Sequence, residues 1–176
     1  MKQKLEIFSQ LLLEWNKVHN LGGNLDLDMV QEYIADSVYP LEFIKDFKEC
    51  MDIGSGAGFP AIPLAIKNLD KKFFLVEPRK KRCAFLQYIC TELELFNVEI
   101  LKTRIEDLKR QIQVDLITSR ALMPTQDLIA LSRKFLSLDG YFLFYKGEDL
   151  KNEIDIDVAK YSHRRQRIYF YERNRE

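Results

Sequence analysis

The chain has no surplus of either charge: 27 basic residues stand against 27 acidic ones. Nucleic-acid binders commonly carry a basic excess, so any surface for an anionic partner has to be local. Histidine is scarce, with only His19 and His163. No cluster of histidines, cysteines and acids has metal-ligand spacing, and no metal is expected. There is no Ser/His/Asp or Cys/His constellation for nucleophilic catalysis. The 3 cysteines, Cys50, Cys83 and Cys90, make an odd set that suits no disulfide framework. They read as buried thiols in a reducing compartment. Long apolar runs are missing too. The longest uncharged one, Phe59 to Ile66, is far too short to cross a bilayer. Lys2, Lys4, Glu6 and Glu14 interrupt the N-terminal apolar residues, so no signal peptide is read and a cytoplasmic protein is expected.

What is present suits one globular unit. The 176 residues are 47% hydrophobic, enough for one packed core. Leu5, Phe8, Leu12, Trp15 and His19 recur at three- and four-residue steps, which predicts a helix over 3–18. Gly22, Gly23 and Asn24 end it. A second helix is expected over 27–38, and Pro40 opens a short third one. From residue 49 the pattern changes. Short apolar runs at 50–53, 72–76, 98–101, 114–118 and 141–145 read as strands. Between them, helical spacing covers 61–68, 80–95, 105–111 and 126–136. Uniformly apolar strands alternating with helices predict an α/β fold with a mostly parallel sheet, covered on both faces. Ile168 to Tyr171 suggest a last, antiparallel strand. The expected organisation is one domain over 1–176, with a helical cap at 1–48 and a Rossmann-like core at 49–176.

The strongest local signal is Asp52-Ile53-Gly54-Ser55-Gly56-Ala57-Gly58-Phe59-Pro60. A strand runs into a glycine-rich turn and a helix follows. Glycines let the backbone turn sharply and approach a ligand without Cβ interference, and the helix start presents N–H groups. A dinucleotide fingerprint reads G-x-G-x-x-G. This loop is one residue shorter, a variant typical of S-adenosylmethionine enzymes, with an acid two positions before the first glycine. Glu77 closes the next strand, where a carboxylate reaches ribose hydroxyls. Ile105 and Glu106 follow the third strand, where a backbone N–H and a carboxylate can read an adenine edge. Glu106 would equally suit a helix start. Arg120, after the fourth strand, can hold a methionine carboxylate or a substrate phosphate.

Two basic clusters stand out. One is Arg79, Lys80, Lys81 and Arg82. The other is Lys160, His163, Arg164, Arg165, Arg167, Arg173 and Arg175, interleaved with tyrosines that can stack on unpaired bases. The second is the better RNA candidate at this stage, although a charged edge strand gives the same pattern.

Together these motifs resemble a known family. Leu12 to Leu21, the loop from Asp52 to Ile66 with its Phe-Pro-x-Ile-Pro-Leu ending, Leu75-Val76-Glu77, Lys80-Lys81-Arg82, Phe85-Leu86, Ser119-Arg120-Ala121 and Lys146-Gly147 occur in one order. They are similar to the RsmG (GidB) family of small-subunit ribosomal RNA methyltransferases, over about residues 5 to 147. The resemblance implies a Rossmann-like S-adenosylmethionine-dependent methyltransferase fold. It implies methyl transfer from that cofactor to N7 of a guanine in small-subunit ribosomal RNA, naked or in the assembled subunit. It implies that Gly54, Phe59, Ile105, Glu106 and Arg120 line the cofactor site, beside Gly56 and Glu77, which the loop and the strand end already assign to the cofactor. Asn20 and Lys146 are expected near the substrate mouth, and Arg164 and Arg165 on the RNA. There are departures. The family usually has Asn-Leu-Thr where this chain has Asn20-Leu21-Gly22, and often His where it has Tyr33. The segment after Gly147 is short, which predicts a trimmed last strand pair.

Guanine N7 has a free lone pair and loses no proton on attack, so no general base is expected. Proximity and alignment can supply roughly 7–11 kcal/mol by themselves. A monomer is expected. Two alternatives remain at the level of sequence: a methyltransferase of the same fold acting on a small molecule or protein, and a non-catalytic nucleotide-binding module.

Overall fold

A computed structural model describes residues 1–120, 122–148, 150–154 and 157–174, with the backbone but not the side chain of Val158. Ala121 and Arg175, named above, lie outside the described residues.

Helix α1 (Lys2–His19) ends at Asn20, which takes the left-handed conformation (φ 48°). Helix α2 (Leu27–Val38) opens on Asp26, whose carboxylate accepts from Met29 N. A 3-10 turn (Tyr39–Glu42) carries Pro40 at its second position, one residue after its start. Then β1 (Glu49–Ile53), α3 (Ala61–Lys67), β2 (Lys72–Val76), α4 (Lys80–Glu92) and β3 (Val98–Leu101) alternate. They are followed by β4 (Val114–Arg120), α5 (Thr125–Ser132), a 3-10 turn (Arg133–Phe135), β5 (Leu136–Lys146) and α6 (Leu150–Glu153). A further 3-10 turn (Val158–Lys160) precedes the hairpin β6 (Ser162–Arg164) and β7 (Arg167–Arg173).

The sheet order is β3-β2-β1-β4-β5-β7-β6. Strands β1 to β5 are parallel; β7 runs antiparallel to β5 and β6 antiparallel to β7. The chain reverses direction across the sheet between β1 and β4, so a crevice opens at the carboxyl ends of these two strands. Apolar side chains split into two cores. On one face Phe8, Leu12 and Val30 of the N-terminal helices pack with Ile62, Phe85 and Leu143. On the other Ile53, Val76, Ile117, Leu128 and Phe144 pack together. Trp15 of α1 stacks on Tyr88 of α4 at 5.2 Å. The helical cap and the sheet therefore share one core.

Several expectations need correction. Residues 105–111 form turns, not a helix. Leu108 N bonds to Ile105 O and Asp107 N to Arg104 O, three residues back in each case, and buried Ile105 and Ile112 merely copy a helical spacing. Helix α4 stops short of residue 95 because Glu94 turns left-handed (φ 49°). Leu95 N then bonds to Cys90 O in a Schellman-type end. Leu93 and Leu95 are buried beyond that end, which extended the apolar pattern. Strand β4 runs two residues further than expected, so Ser119 and Arg120 belong to it. Strand β5 begins at Leu136, where a helix was expected. The C-terminal strand pair is present, not trimmed.

Candidate active site

The glycine loop leaves β1 at the crevice. Gly54 N and Ser55 N bond to Val76 O at 2.8 and 3.4 Å, and Gly58 N to Ser55 O at 2.7 Å. Gly56 has φ +55°, which glycine adopts at no steric cost, and a Cβ there would meet nothing closer than 3.6 Å, so the missing side chain leaves the approach to the loop open. At Gly58 (φ +93°) a Cβ would also fall 2.8 Å from Ile62 Cγ1, so helix packing adds a second demand.

Glu77 is buried at the end of β2. Its carboxylate accepts from Gly56 N (2.9 Å) and Arg79 N (2.9 Å), and Arg82 Nη1 lies 3.8 Å away. The acid thus ties the glycine loop to the start of α4. Beside it a pocket of about 180 Å³ is lined by Gly54, Val76, Pro78, Ile105, Glu106, Leu122 and others. The structure therefore gathers Gly54, Gly56, Glu77, Ile105 and Glu106 at neighbouring strand ends.

The cap face of the crevice holds a different chemistry. The Arg120 guanidinium stacks 4.0 Å from the Tyr33 ring centroid, and Phe59 lies 5.8 Å from it. Arg120 Nη1 is buried without a partner. Burial and the nearby Arg167 lower its pKa, while Asp36, Tyr33 and Tyr145 act the other way. On β1, Asp52 is also buried. Its Oδ1 accepts from Thr118 Oγ1 at 2.7 Å, and its Oδ2 has no partner. Burial pushes this carboxyl up to about 7; Ser55 and Thr118 hydroxyls oppose the rise and Glu77 adds to it. Asp52 and Thr118 are register partners on β1 and β4, and Arg120 lies two residues beyond Thr118, so an unmet carboxyl and an unmet cation stand on the same face of neighbouring strands. Buried polar groups without partners are costly, and a ligand carrying an ammonium and a carboxylate would satisfy both.

The sequence singles out Tyr33 only as a departure from the family and gives Asp52 no role beyond its position. An acid inside an otherwise apolar strand is the available signal for Asp52. Nothing local ties Tyr33 to Arg120, because α2 reaches Arg120 only through the tertiary fold.

The residues expected near the substrate are spread over several elements: Asn20 ends α1, Lys146 ends β5 beside pocket-lining Met123, and Arg164 and Arg165 sit on the β6–β7 hairpin. Asn20 is exposed, and its side chain accepts from Gly23 N at 3.0 Å, a local turn bond. Lys146 is buried; its ammonium donates to Met123 O (2.8 Å) and Glu153 Oε2 (2.8 Å). It is not presented as an open cation, because the fold uses it to hold β5 to α6. Lys146→Ala is expected to cost about 1–3 kcal/mol in chemical denaturation. An outward-facing lysine would leave the midpoint unchanged. Arg164 pairs with Glu32 and with Asp36 (2.5 Å), and Arg165 with Glu32 (2.8 Å). Arg167 adds a bond to Asp36 at 3.4 Å. These arginines clamp the β6–β7 hairpin to α2 and are largely neutralised there. Among the described residues, no group of three or more His, Cys, Asp or Glu is placed to hold a metal. No helix among them is long and apolar enough to cross a membrane.

The family model for rRNA small subunit methyltransferase G matches residues 1–175. The chain belongs to the rRNA small subunit methyltransferase G family. Ribosomal RNA small subunit methyltransferase G of Helicobacter pylori J99 is 52% identical over 171 residues, covering 97% of this chain and 96% of that protein. The protein of the same name from Aliarcobacter butzleri is 41% identical, covering 94% and 87% respectively. Among solved structures, a ribosomal protein L11 methylase from Lactobacillus delbrueckii subsp. bulgaricus superposes with a TM-score of 0.65. It shares 18% identity, with 82% of this chain and 79% of that chain covered. Coclaurine N-methyltransferase, solved with N-methylheliamine and SAH, gives a TM-score of 0.61 at 18% identity, covering 82% and 50%. These two show that the family member described here has the Rossmann-like methyltransferase fold.

Proposed function

We propose that this chain transfers a methyl group from S-adenosylmethionine to N7 of a guanine in small-subunit ribosomal RNA. Membership in the rRNA small subunit methyltransferase G family supports the reaction class. The observation that carries the site is the pair of buried, unpartnered atoms, Asp52 Oδ2 and Arg120 Nη1, on the neighbouring strands β1 and β4.

The residues present fit the cofactor. Arg120 would take its carboxylate and Asp52 would face its ammonium. The Glu77 carboxylate stands where ribose hydroxyls would reach it, next to Gly56 N. The pocket between Gly54, Ile105 and Glu106 would take the adenine. Bound there, the cofactor supplies a methyl group on a sulfonium. The protein's own task is to hold and align. N7 attacks through a lone pair and releases no proton, so no residue is needed as a base. Phe59 and Tyr33, packed edge to face at 5.5 Å, shield the Arg120 side of the crevice from water. The chain is read as one methyltransferase domain capped by residues 1–48, a cytoplasmic monomer.

Labelled S-adenosylmethionine, incubated with the protein and unmodified small subunits or naked RNA, should leave label in RNA as 7-methylguanosine. Label at another guanine position would refute the N7 assignment, and label in protein alone would refute the substrate. Gly56→Val should abolish binding of S-adenosylhomocysteine by filling the approach to the loop, with the far-ultraviolet spectrum retained. Normal calorimetric binding by that variant would show that the loop lies elsewhere than on the cofactor.

A further inference from the structure

The charges of this neutral chain are sorted by position in the sheet. At the β6 edge, Arg164, Arg165 and Arg167 share the two carboxylates of Glu32 and Asp36, so each is ion-paired and one positive charge is left in excess. At the β3 edge the balance is different. Arg79, Lys80 and Lys81 lead into α4, and Lys102 and Arg104 follow β3; all five side chains are exposed. None of the five has an ion pair among the described residues. The topology brings the two groups together. Val76 and Leu101 are register partners, and Glu77 N bonds to Leu101 O at 3.1 Å. Residues 79–81 and 102–104 therefore leave adjacent strand ends, about 5 Å apart in the sheet. Lys102 also faces the first turn of α4: it offsets the rise that burial and Glu77 impose on the Cys83 thiol. Exposed Glu106 and Asp107 follow Arg104, with Glu106 on the pocket side, and dilute the patch there. Arg82 bridges patch and site, since its Nη1 would lie 3.6 Å from a Cβ at Gly56.

We infer that ribosomal RNA reaches the crevice over the β3 edge, its phosphates held by Arg79, Lys80, Lys81, Lys102 and Arg104, and not over the C-terminal hairpin. This rests on the function proposed above and names the surface that function uses. Phosphate contacts need cations whose charge is not already matched, because each contact gains by releasing counterions from the nucleic acid. The hairpin arginines are each already ion-paired. The patch cations do not, and they border Gly56 and Glu77 directly. A strand lying along them would run towards the crevice between β1 and β4. Net neutrality of the chain then conceals a local field, which is what steering of a polyanion requires.

Two charge-reversal pairs test this, Lys80→Glu with Lys81→Glu, and Lys81→Glu with Lys102→Glu, both clear of the pocket that Arg104 lines. Arg165→Glu serves as the comparison at the opposite edge. Small-subunit RNA affinity is measured against salt, alongside methyl-transfer kinetics and calorimetric binding of S-adenosylhomocysteine. Each patch pair is expected to weaken RNA binding at least tenfold. The slope of log affinity against log salt should flatten by about 0.7–0.9 per lost contact. KM for RNA should rise more than kcat falls, and cofactor binding should stay within twofold, which also shows the fold intact. Should a reversed pair fold poorly, Lys80→Ala with Lys81→Ala gives a smaller loss of the same sign. Unchanged RNA affinity and slope in both patch pairs would overturn the inference, as would a larger loss in Arg165→Glu. Absence of any methyl transfer to small-subunit RNA by the unaltered protein would instead sink the proposed function.

Discussion

Arg120→Met should weaken binding of S-adenosylhomocysteine by about 10- to 150-fold while the folded protein keeps its stability to within about 1 kcal/mol. The two halves of this result have one cause. The Arg120 guanidinium is drawn into the crevice with Nη1 lacking any partner, and burial lowers its pKa. In the free protein that charge contributes little beyond its stacking on Tyr33 at 4.0 Å, which is worth about 0.5–2 kcal/mol. Methionine returns apolar contact with Tyr33 and Phe59 and removes the unmet polar atom, so loss and gain roughly offset. A bound carboxylate has no such substitute: a hydrogen bond to a charged group is worth about 1.5–3 kcal/mol. Calorimetry and thermal melting read the two effects separately. Undiminished affinity would remove Arg120 from the cofactor site. A melting point lowered as much as the affinity would make it a structural residue.

Asp52→Asn should behave in the opposite sense for stability and in the same sense for binding. The Asp52 carboxyl titrates near 7 because it is buried, against about 3.9 in an unfolded chain. The folded state therefore holds a proton that the unfolded state releases, and stability falls as pH rises from about 4 to about 7. Above pH 7 the full cost is present, on the order of 4 kcal/mol. Asparagine removes the charge, so the variant should be more stable than the parent at pH 8 by about 1–3 kcal/mol, with little difference at pH 4. The groups around Asp52 leave this sign intact. Glu77 at the end of β2 reinforces the rise. Burial holds Tyr145 of β5 well above the usual tyrosine range and Cys50, on β1 with Asp52, well above the usual thiol range. An ammonium placed beside Asp52 favours the ionised form. Cofactor affinity of the parent should then climb between pH 5.5 and 7, and that of Asp52→Asn should be lower and flat. A parent with pH-independent affinity over this range, and a variant equal to it, would detach Asp52 from the ligand.

The elements that the sequence made legible share a physical basis. Strands 72–76 and 98–101 were read to the residue because each is a short apolar run closed by polar turns. Helix 27–38 was bounded by Asp26 as its cap and by Pro40 beyond its end. The glycine loop announced itself, since no other residue type tolerates its positive φ angles cheaply. Reading failed where apolar spacing outlived the element that made it. Leu95 stays buried after α4 has ended, and Ile105 and Ile112 anchor turns on a helical beat. It also failed for charge. A run of arginines looks the same in sequence whether its counter-charges are near or far, and Glu32 and Asp36 lie more than a hundred residues from Arg164.

The sequence by itself determined the alternation of strands and helices, the loop at Gly54 to Gly58, the carboxylate at Glu77 and the family. All of these depend on patterns within a few residues or on motifs in fixed order. Only the tertiary structure decided that Lys146 is a buried tie, that the hairpin arginines are ion-paired, that Tyr33 covers Arg120, and that Asp52 and Arg120 each keep one atom unmet. Pairing, burial and desolvation arise between segments distant along the chain, and the crossover between β1 and β4 is what brings those segments to one edge of the sheet.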